Sequence, residues 1–160
     1  MKKFGVLGLV AGFCAFSSVA MAATTGSVTL GGTVASTLQL TATATAAASS
    51  LDLTSAGPTI VQVADISMST NNEQGLTLTA TSGDLTKSGG TPISFQVTTV
   101  ADAASAPAST AFTVASGTDY TVGTSAAGAS AKDMYIMYSP AALQDPGAYA
   151  GTISLTVTDN

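Results

Sequence analysis

The chain of 160 residues contains no His, Arg or Trp, and its single cysteine is Cys14. These absences exclude Ser-His-Asp and Cys-His catalysis, imidazole or thiolate metal sites, and arginine clamps for phosphate. Nine carboxylates against four lysines give a formal charge of −5, and this disfavours nucleic acid and anionic membranes, which are bound through Lys and Arg. We therefore expect no enzyme activity, no cofactor and no metal site.

The first 22 residues have the three parts of a signal peptide. Lys2 and Lys3 form a positive start, "FGVLGLVAGFCAF" is a short apolar stretch, and "AMA" at Ala20–Ala22 is a small-x-small cleavage site. Cleavage after Ala22 leaves two lysines against nine carboxylates, a side-chain charge of −7, and no cysteine. We expect an exported protein that is not held in a membrane after cleavage and resides in the periplasm, then at the cell surface or outside the cell.

The first segment after the predicted signal alternates in polarity over an unusual length. Val28, Leu30, Gly32 and Val34 occupy even positions, and Leu38 and Leu40 continue the phase, while Thr, Gly, Ala or Gln stands at the odd positions. This is the period of a β-strand with one apolar face. The stretch is about twice the usual strand length of five or six residues, so its first half belongs either to the chain's own sheet or to a neighbour's.

Alternating runs continue along the chain, with turn residues between them. In order, they are "STLQLTAT", "SSLDLTS", "TIVQVADISMS", "GLTLTAT", "PISFQVTTV", "AFTVA", "DYTVG", "KDMYIMYS" and "GAYAGTISLTVTDN". In the third of these runs the phase changes near Ala64, which indicates a bulge or bend. Eight or nine short strands without a helix longer than about two turns predict an all-β protein, an Ig-like Greek-key β-sandwich.

The predicted organisation is a signal peptide at 1–22, an N-terminal extension or donor strand at 23–35, and a sandwich domain at 36–160. The inward positions of the runs give the expected core: Leu38, Leu40, Leu53, Val63, Ile66, Leu76, Leu78, Phe95, Val97, Ile136, Ile153, Leu155 and Val157.

Two stretches resemble bacterial fimbrial subunits of the spore-coat-U/Csu type and related Ig-like surface proteins. They are "ISMSTNNEQGLTLTATSGDLTKSGGTPISFQVTT", which resembles the middle of such subunits, and "PGAYAGTISLTVTDN", which resembles their last strand. Those subunits usually carry a disulfide, which the exported part of this chain cannot form. The resemblance implies a structural subunit that polymerises by donor-strand complementation, in which the N-terminal extension of one subunit fills a hydrophobic groove in the next.

On this interpretation the donor-strand residues are Val28, Leu30, Gly32 and Val34. The acceptor groove is expected along the last strand, at Ile153, Leu155 and Val157. The partners implied are other copies of the chain or related subunits, together with a periplasmic chaperone and an outer-membrane usher. The alternative is that Val28–Val34 is the first strand of a closed, self-contained sandwich.

Other functions remain open from the sequence. A closed monomer would act as an exported binding module for carbohydrate or surface adhesion, with Tyr135, Tyr138 and Tyr149 as stacking residues if they are exposed. "TLTAT" has the Thr-x-Thr spacing of ice-binding surfaces but does not recur at a fixed period. The carboxylates lie mostly in predicted turns, and no loop has the spacing of an EF-hand, which leaves only a weak calcium site to consider.

Overall fold

A computed structural model describes residues 24–160, so the predicted signal peptide lies outside the described residues. The chain divides into two units, Met1–Thr33 and Val34–Asn160. The described part of the first unit has no regular secondary structure, and residues 24–37 contain no strand. The second unit contains all eight strands of the described chain.

The strands are β1 (Leu38–Ala44), β2 (Thr59–Thr70), β3 (Leu76–Thr81), β4 (Asp84–Leu85), β5 (Ile93–Ala101), β6 (Asp119–Gly123), β7 (Gly128–Tyr138) and β8 (Ser154–Asp159). Two short 3₁₀ turns, Ala46–Ser49 and Ser109–Ala111, are the only helical segments in residues 24–160. The predicted absence of long helices is therefore confirmed for the described chain.

The strands form two antiparallel sheets. One has the order β1-β2-β7-β5-β4 and the other the order β6-β3-β8. Buried side chains from both sheets belong to one hydrophobic cluster, which makes the unit a β-sandwich. The predicted all-β fold is confirmed. β1 and β8 both lie at sheet edges, and this position determines the site described below.

The predicted irregularity in the third run is present in β2. The pairing of β2 with β7 shifts register between Gln62 and Ala64. An extra residue at this point lets Val63 and Ile66 both point into the core, where they are 7% and 2% exposed, although three positions separate them. The change of phase in the sequence therefore marks a β-bulge.

Most of the predicted core is buried. The fully buried members are Val63, Ile66, Leu76, Leu78, Phe95, Val97 and Ile136, and those packed against them but partly exposed are Leu38, Leu40, Leu53, Ile153, Leu155 and Val157. The partly exposed group lies on β1, on β8 or in the segments next to them, apart from Leu53. Exposure of the predicted core is thus greatest along β1 and β8, which are two of the four edge strands.

Two predicted strands are wrong. "SSLDLTS" is a loop, because the Asp52 carboxylate accepts hydrogen bonds from the backbone and hydroxyl of Thr54 and turns the chain. "AFTVA" follows the second 3₁₀ turn, and the carbonyls of Phe112 and Val114 accept hydrogen bonds from the Gln96 side chain instead of a neighbouring strand. In both segments the apolar side chains pack inward from a loop.

Candidate assembly site

Two of the four edge strands, β1 and β8, lack the features that usually protect a sheet edge. β1 reads LQLTATA and β8 reads SLTVTD, so neither contains Lys or Pro, and the only charge is Asp159. Each strand is hydrogen-bonded to a neighbour on one side only. Exposed edges of this kind present unpaired backbone N–H and C=O groups to any further strand.

An apolar groove runs between these two edges, with a cavity volume of about 310 Å³. One wall consists of Ala42 and Ala44 on β1 with Ala48 and Leu51 after it, and the other consists of Gly151, Thr152, Ile153 and Leu155. The remaining lining residues, Val63, Ala64, Leu85, Phe95, Met134 and Ile136, form the floor. Apart from Ala64, the floor residues belong to the buried core.

The groove therefore opens directly onto the core of the sandwich. Phe95, Met134 and Ile136 are at most 3% exposed, although they line it. At Gly151 an added Cβ would lie 3.0 Å from both the Asp84 carbonyl oxygen and Leu85 Cδ2, so the backbone packs tightly against the floor.

The structure brings two of the three predicted acceptor residues to the groove. Leu155 lies on β8 and Ile153 immediately precedes it, and both line the cavity. Val157 is partly buried against the core, opposite Leu78 of β3, and does not line the cavity. The sequence did not identify the β1 wall, although the alternation of Thr with Ala in "TATATA" is the pattern that places Ala42 and Ala44 on it.

The predicted donor-strand side chains are exposed. Val28, Leu30 and Val34 are 86%, 89% and 90% exposed, whereas the other alternating runs bury their apolar faces. A Cβ added at Gly32 would meet no atom within 4 Å. Among residues 24–160, Val28, Leu30 and Val34 are three of the four large hydrophobic side chains that are exposed.

The chain enters the sandwich at a fixed point. The Asn71 side chain donates to the Ala35 carbonyl and accepts from the Thr37 N–H, both at 2.9 Å. Ser36 Oγ donates to Asp159 Oδ2 at 2.7 Å. We call the end of the sandwich formed by residues 35–37, 71–75, 124–128 and 158–160 the exit end, and the opposite end, formed by residues 49–58, 82–92 and 139–153, the loop end.

The Asp159 carboxylate links three segments of the exit end. It also accepts a hydrogen bond from Thr70 Oγ1, at the end of β2. The hydrogen bonds from Thr70 and Ser36 lower the pKa of Asp159 below its ordinary value of 3.8. A carboxyl whose pKa falls on folding stabilises the native state above its unfolded pKa, and this contribution is lost as the pH falls through the folded pKa.

Asp159→Asn should therefore weaken the pH dependence of stability in acid. We expect the free energy of unfolding of the wild type to fall more steeply than that of the variant between about pH 5 and pH 2. Urea denaturation at a series of pH values measures the free energy of unfolding of the wild type and of the variant. Thr156→Ala, an exposed change on β8 that removes no carboxyl group, is the control and should keep the wild-type slope. The same slope in Asp159→Asn as in the wild type would contradict this assignment.

Of the three tyrosines considered as carbohydrate-stacking residues, two are buried and the third is partly buried. Tyr135 and Tyr138 are buried, and their hydroxyls donate to Gln62 Oε1 and to the Asp52 carbonyl, at 3.3 Å and 3.1 Å. Burial raises the pKa of Tyr138. Tyr149 is partly buried and accepts a hydrogen bond from Gln144 Nε2 at 2.7 Å. The arrangement gives a sugar ring no exposed aromatic face on β7.

Residues 24–160 contain no cluster of three or more acidic, His or Cys side chains that could hold a metal ion. The Asp52 pKa is lowered to about 2, because the Thr54 hydroxyl and backbone N–H hydrogen-bond its carboxylate within a turn. Among the described helical segments, none is long and apolar enough to cross a membrane.

Comparison with known proteins gives no relative: no family model matches the chain, and no curated protein or solved structure is significantly similar to it.

Proposed function

We propose that the protein is a structural subunit of a bacterial surface fimbria or filament, exported and polymerised by donor-strand complementation. The observation that carries the proposal is the presence, in one chain, of an exposed alternating segment and an open apolar groove between two unpaired strand edges. In the assembled protein, Val28–Val34 of one copy lies in the groove of the next copy and pairs with β8.

The groove and the segment are matched in chemistry. An apolar cavity of about 150 Å³ accommodates a benzene-sized group, so a volume of about 310 Å³ suits two aliphatic side chains such as Leu30 and one of the valines. Gly32 suits a place where the incoming backbone lies close to a groove wall. Burial of these side chains removes apolar surface from water in both copies.

The polar face of the segment also resembles the outer face of the sheet that it would extend. Its outward residues are Thr29, Gly31 and Thr33. Ser154, Thr156 and Thr158 are the exposed residues of β8, and Thr77, Thr79 and Thr81 lie beside them on β3. A strand added next to β8 with its valines and leucine inward therefore extends an outer face that is already rich in hydroxyl groups. Because the side chains alternate, a shift of the strand pairing by one residue would turn the apolar face outward and the polar face inward.

The proposed partners follow from the same groove. Before assembly, an exported subunit with unpaired strand edges and an apolar groove between them is prone to aggregate. A periplasmic chaperone that lends a strand to the groove, and an outer-membrane usher that exchanges it for the next subunit, would prevent this. The resulting filament is located at the cell surface.

Deletion of residues 24–34 tests the proposal. The shortened protein should remain folded, because no described secondary structure lies before Leu38, and it should no longer polymerise. A synthetic peptide of residues 26–35 should bind it and raise its thermal unfolding temperature. The matched control is the same peptide with Leu30 replaced by Asp, which should neither bind nor stabilise, because an unpaired carboxylate would be buried.

Two outcomes would refute donor-strand polymerisation. If the shortened protein unfolds and no peptide restores it, Val28–Val34 is an integral strand of a closed domain. If it stays folded and still forms filaments, the segment is not the link between copies. Electron microscopy and circular dichroism distinguish these outcomes from the expected one.

A further inference from the structure

The outer face of the five-stranded sheet carries a buried carboxylate without a partner. Asp133 on β7 is 5% exposed, and no hydrogen bond within residues 24–160 reaches its carboxylate. Its oxygens are nevertheless not sealed from solvent, because every fully enclosed side-chain oxygen or nitrogen of the described residues has a hydrogen-bond partner. The carboxylate can therefore receive a ligand from solution.

The two lysines of the described chain lie away from this carboxylate. Lys132 is the neighbour of Asp133 along β7, so its side chain points to the opposite face of the sheet. Lys87 packs against Gly90 and Gly147 at the loop end. A buried carboxylate that no cation accompanies is unfavourable.

A second carboxylate lies on the same face. Asp65 on β2 is directly opposite Asp133 in the antiparallel pairing of β2 with β7. Opposite residues of such a pair share one face, with their Cβ atoms about 4.5–5.5 Å apart, and like charges at this spacing destabilise the sheet. Asp65 is exposed, so the pair is reached from the β2 side.

An amide adjoins the two carboxylates. The bulge in β2 places Gln62 opposite Tyr135, and Gln62 Nε2 donates to Asp65 Oδ1 at 2.6 Å. The Tyr135 hydroxyl donates to Gln62 Oε1 at 3.3 Å. Half a turn of the amide would direct Oε1 toward the carboxylates and Nε2 toward the Tyr135 hydroxyl, which can also accept a hydrogen bond. Gln62 can therefore supply an oxygen to a ligand beside the carboxylates without losing its own partner.

The β5 side of this face is covered. Gln96 on β5 donates to the carbonyls of Phe112 and Val114 at 3.2 Å and 2.8 Å, which holds the connection between β5 and β6 against the sheet. Thr98 and Tyr135, opposite each other on the same face, are 6% and 7% exposed. The carboxylates thus lie at the margin of a covered region, where electrostatic interactions are less screened than in bulk water.

We propose that Asp65 and Asp133 bind a calcium ion, with the Gln62 amide oxygen as a third ligand. Calcium takes six to eight oxygen ligands, chiefly from carboxylates, amide or backbone carbonyls and water. Two carboxylates and one amide leave several positions to water, so the affinity belongs with the weak sites of extracellular modules, at about 10⁻⁴–10⁻³ M. The site does not depend on donor-strand polymerisation and stands or falls separately.

Urea denaturation with calcium or magnesium at equal concentration tests the site. Calcium at ten times its dissociation constant should raise the folded-to-unfolded ratio about tenfold. Magnesium should have little effect, since it gives up its water reluctantly and requires near-ideal octahedral geometry. Equal effects of the two ions would indicate general screening of charge and would overturn the proposal, as would no effect of either.

Variants of the two carboxylates identify the ligands. Asp133→Asn and Asp65→Asn should each abolish the calcium effect, and without calcium Asp133→Asn should be more stable than the wild type, because it removes the repulsion between the pair. Glu73→Gln is the matched control, since it removes an exposed carboxylate at the exit end, and it should keep the full calcium effect. An undiminished calcium effect in both Asp133→Asn and Asp65→Asn would overturn the proposal.

Terbium luminescence locates the ion. Tb³⁺ has the oxygen preference and nearly the size of calcium, and a nearby tyrosine sensitises its emission. Tyr135 lies two residues from Asp133 on the same face of β7, so excitation of the wild type at the tyrosine absorption band should give emission that calcium displaces. Tyr135→Phe should lose most of this emission and keep the stabilisation by calcium. Emission from Tyr135→Phe equal to that of the wild type would place the ion elsewhere and overturn the proposed site.

Discussion

Leu30→Asp abolishes polymerisation and leaves the sandwich folded: this is the expected result with the largest effect. Leu30 is 89% exposed in the single chain, so a carboxylate at this position costs the isolated protein little. In the filament the same carboxylate would enter a groove whose floor is Val63, Phe95 and Met134. The groove contains no cation to pair with it, and burial of an unpaired charge is strongly unfavourable.

The matched control is Thr29→Asp. It introduces the same charge one residue earlier, on the face that points to solvent when the strand is paired with β8. We expect Thr29→Asp to assemble nearly as well as the wild type, while Leu30→Asp remains monomeric by size-exclusion chromatography. Equal loss of assembly in both variants would show that charge on the segment matters but its alternation does not, and that result would contradict insertion into the groove.

The sequence predicts the fold well wherever one face of a strand is buried. Alternation locates β1, β3 and β8, and the break in phase near Ala64 locates the bulge in β2. It fails at Leu51 and Leu53, because a loop tied by Asp52 can also place alternate apolar residues inward. The alternation of apolar residues indicates which side chains are buried. It does not indicate whether their backbone is hydrogen-bonded to a neighbouring strand.

The candidate site was predictable only in part. Ile153 and Leu155 were expected at the acceptor edge, since they belong to the last alternating run. The opposite wall, at Ala42 and Ala44, was not, because it meets Ile153 only through the packing of two sheets whose edge strands are distant in the chain. The exposed side chain of Leu143 was also not predicted, since a single leucine in a polar loop has no periodicity.

A substitution in the β1 wall of the groove, which the sequence did not predict, is expected to have the second largest effect on assembly. Ala44 lines the groove but is exposed in the single chain, so Ala44→Asp should fold normally. It places a carboxylate where the donor side chains are to pack, and it should therefore block the groove while leaving the protein's own N-terminal segment able to donate. Thr41→Asp is the control, because Thr41 is exposed on the same strand and does not line the groove.

Leu30→Asp and Ala44→Asp have complementary defects, and a mixture of the two should reveal them. Each variant alone should remain monomeric, because one cannot donate and the other cannot accept. When mixed, the intact segment of Ala44→Asp can enter only the intact groove of Leu30→Asp, so assembly should stop at a 1:1 heterodimer. Light scattering coupled to size-exclusion chromatography measures this stoichiometry. Restored filaments in the mixture, or no complex at all, would show that the segment and the groove are not the two halves of one contact.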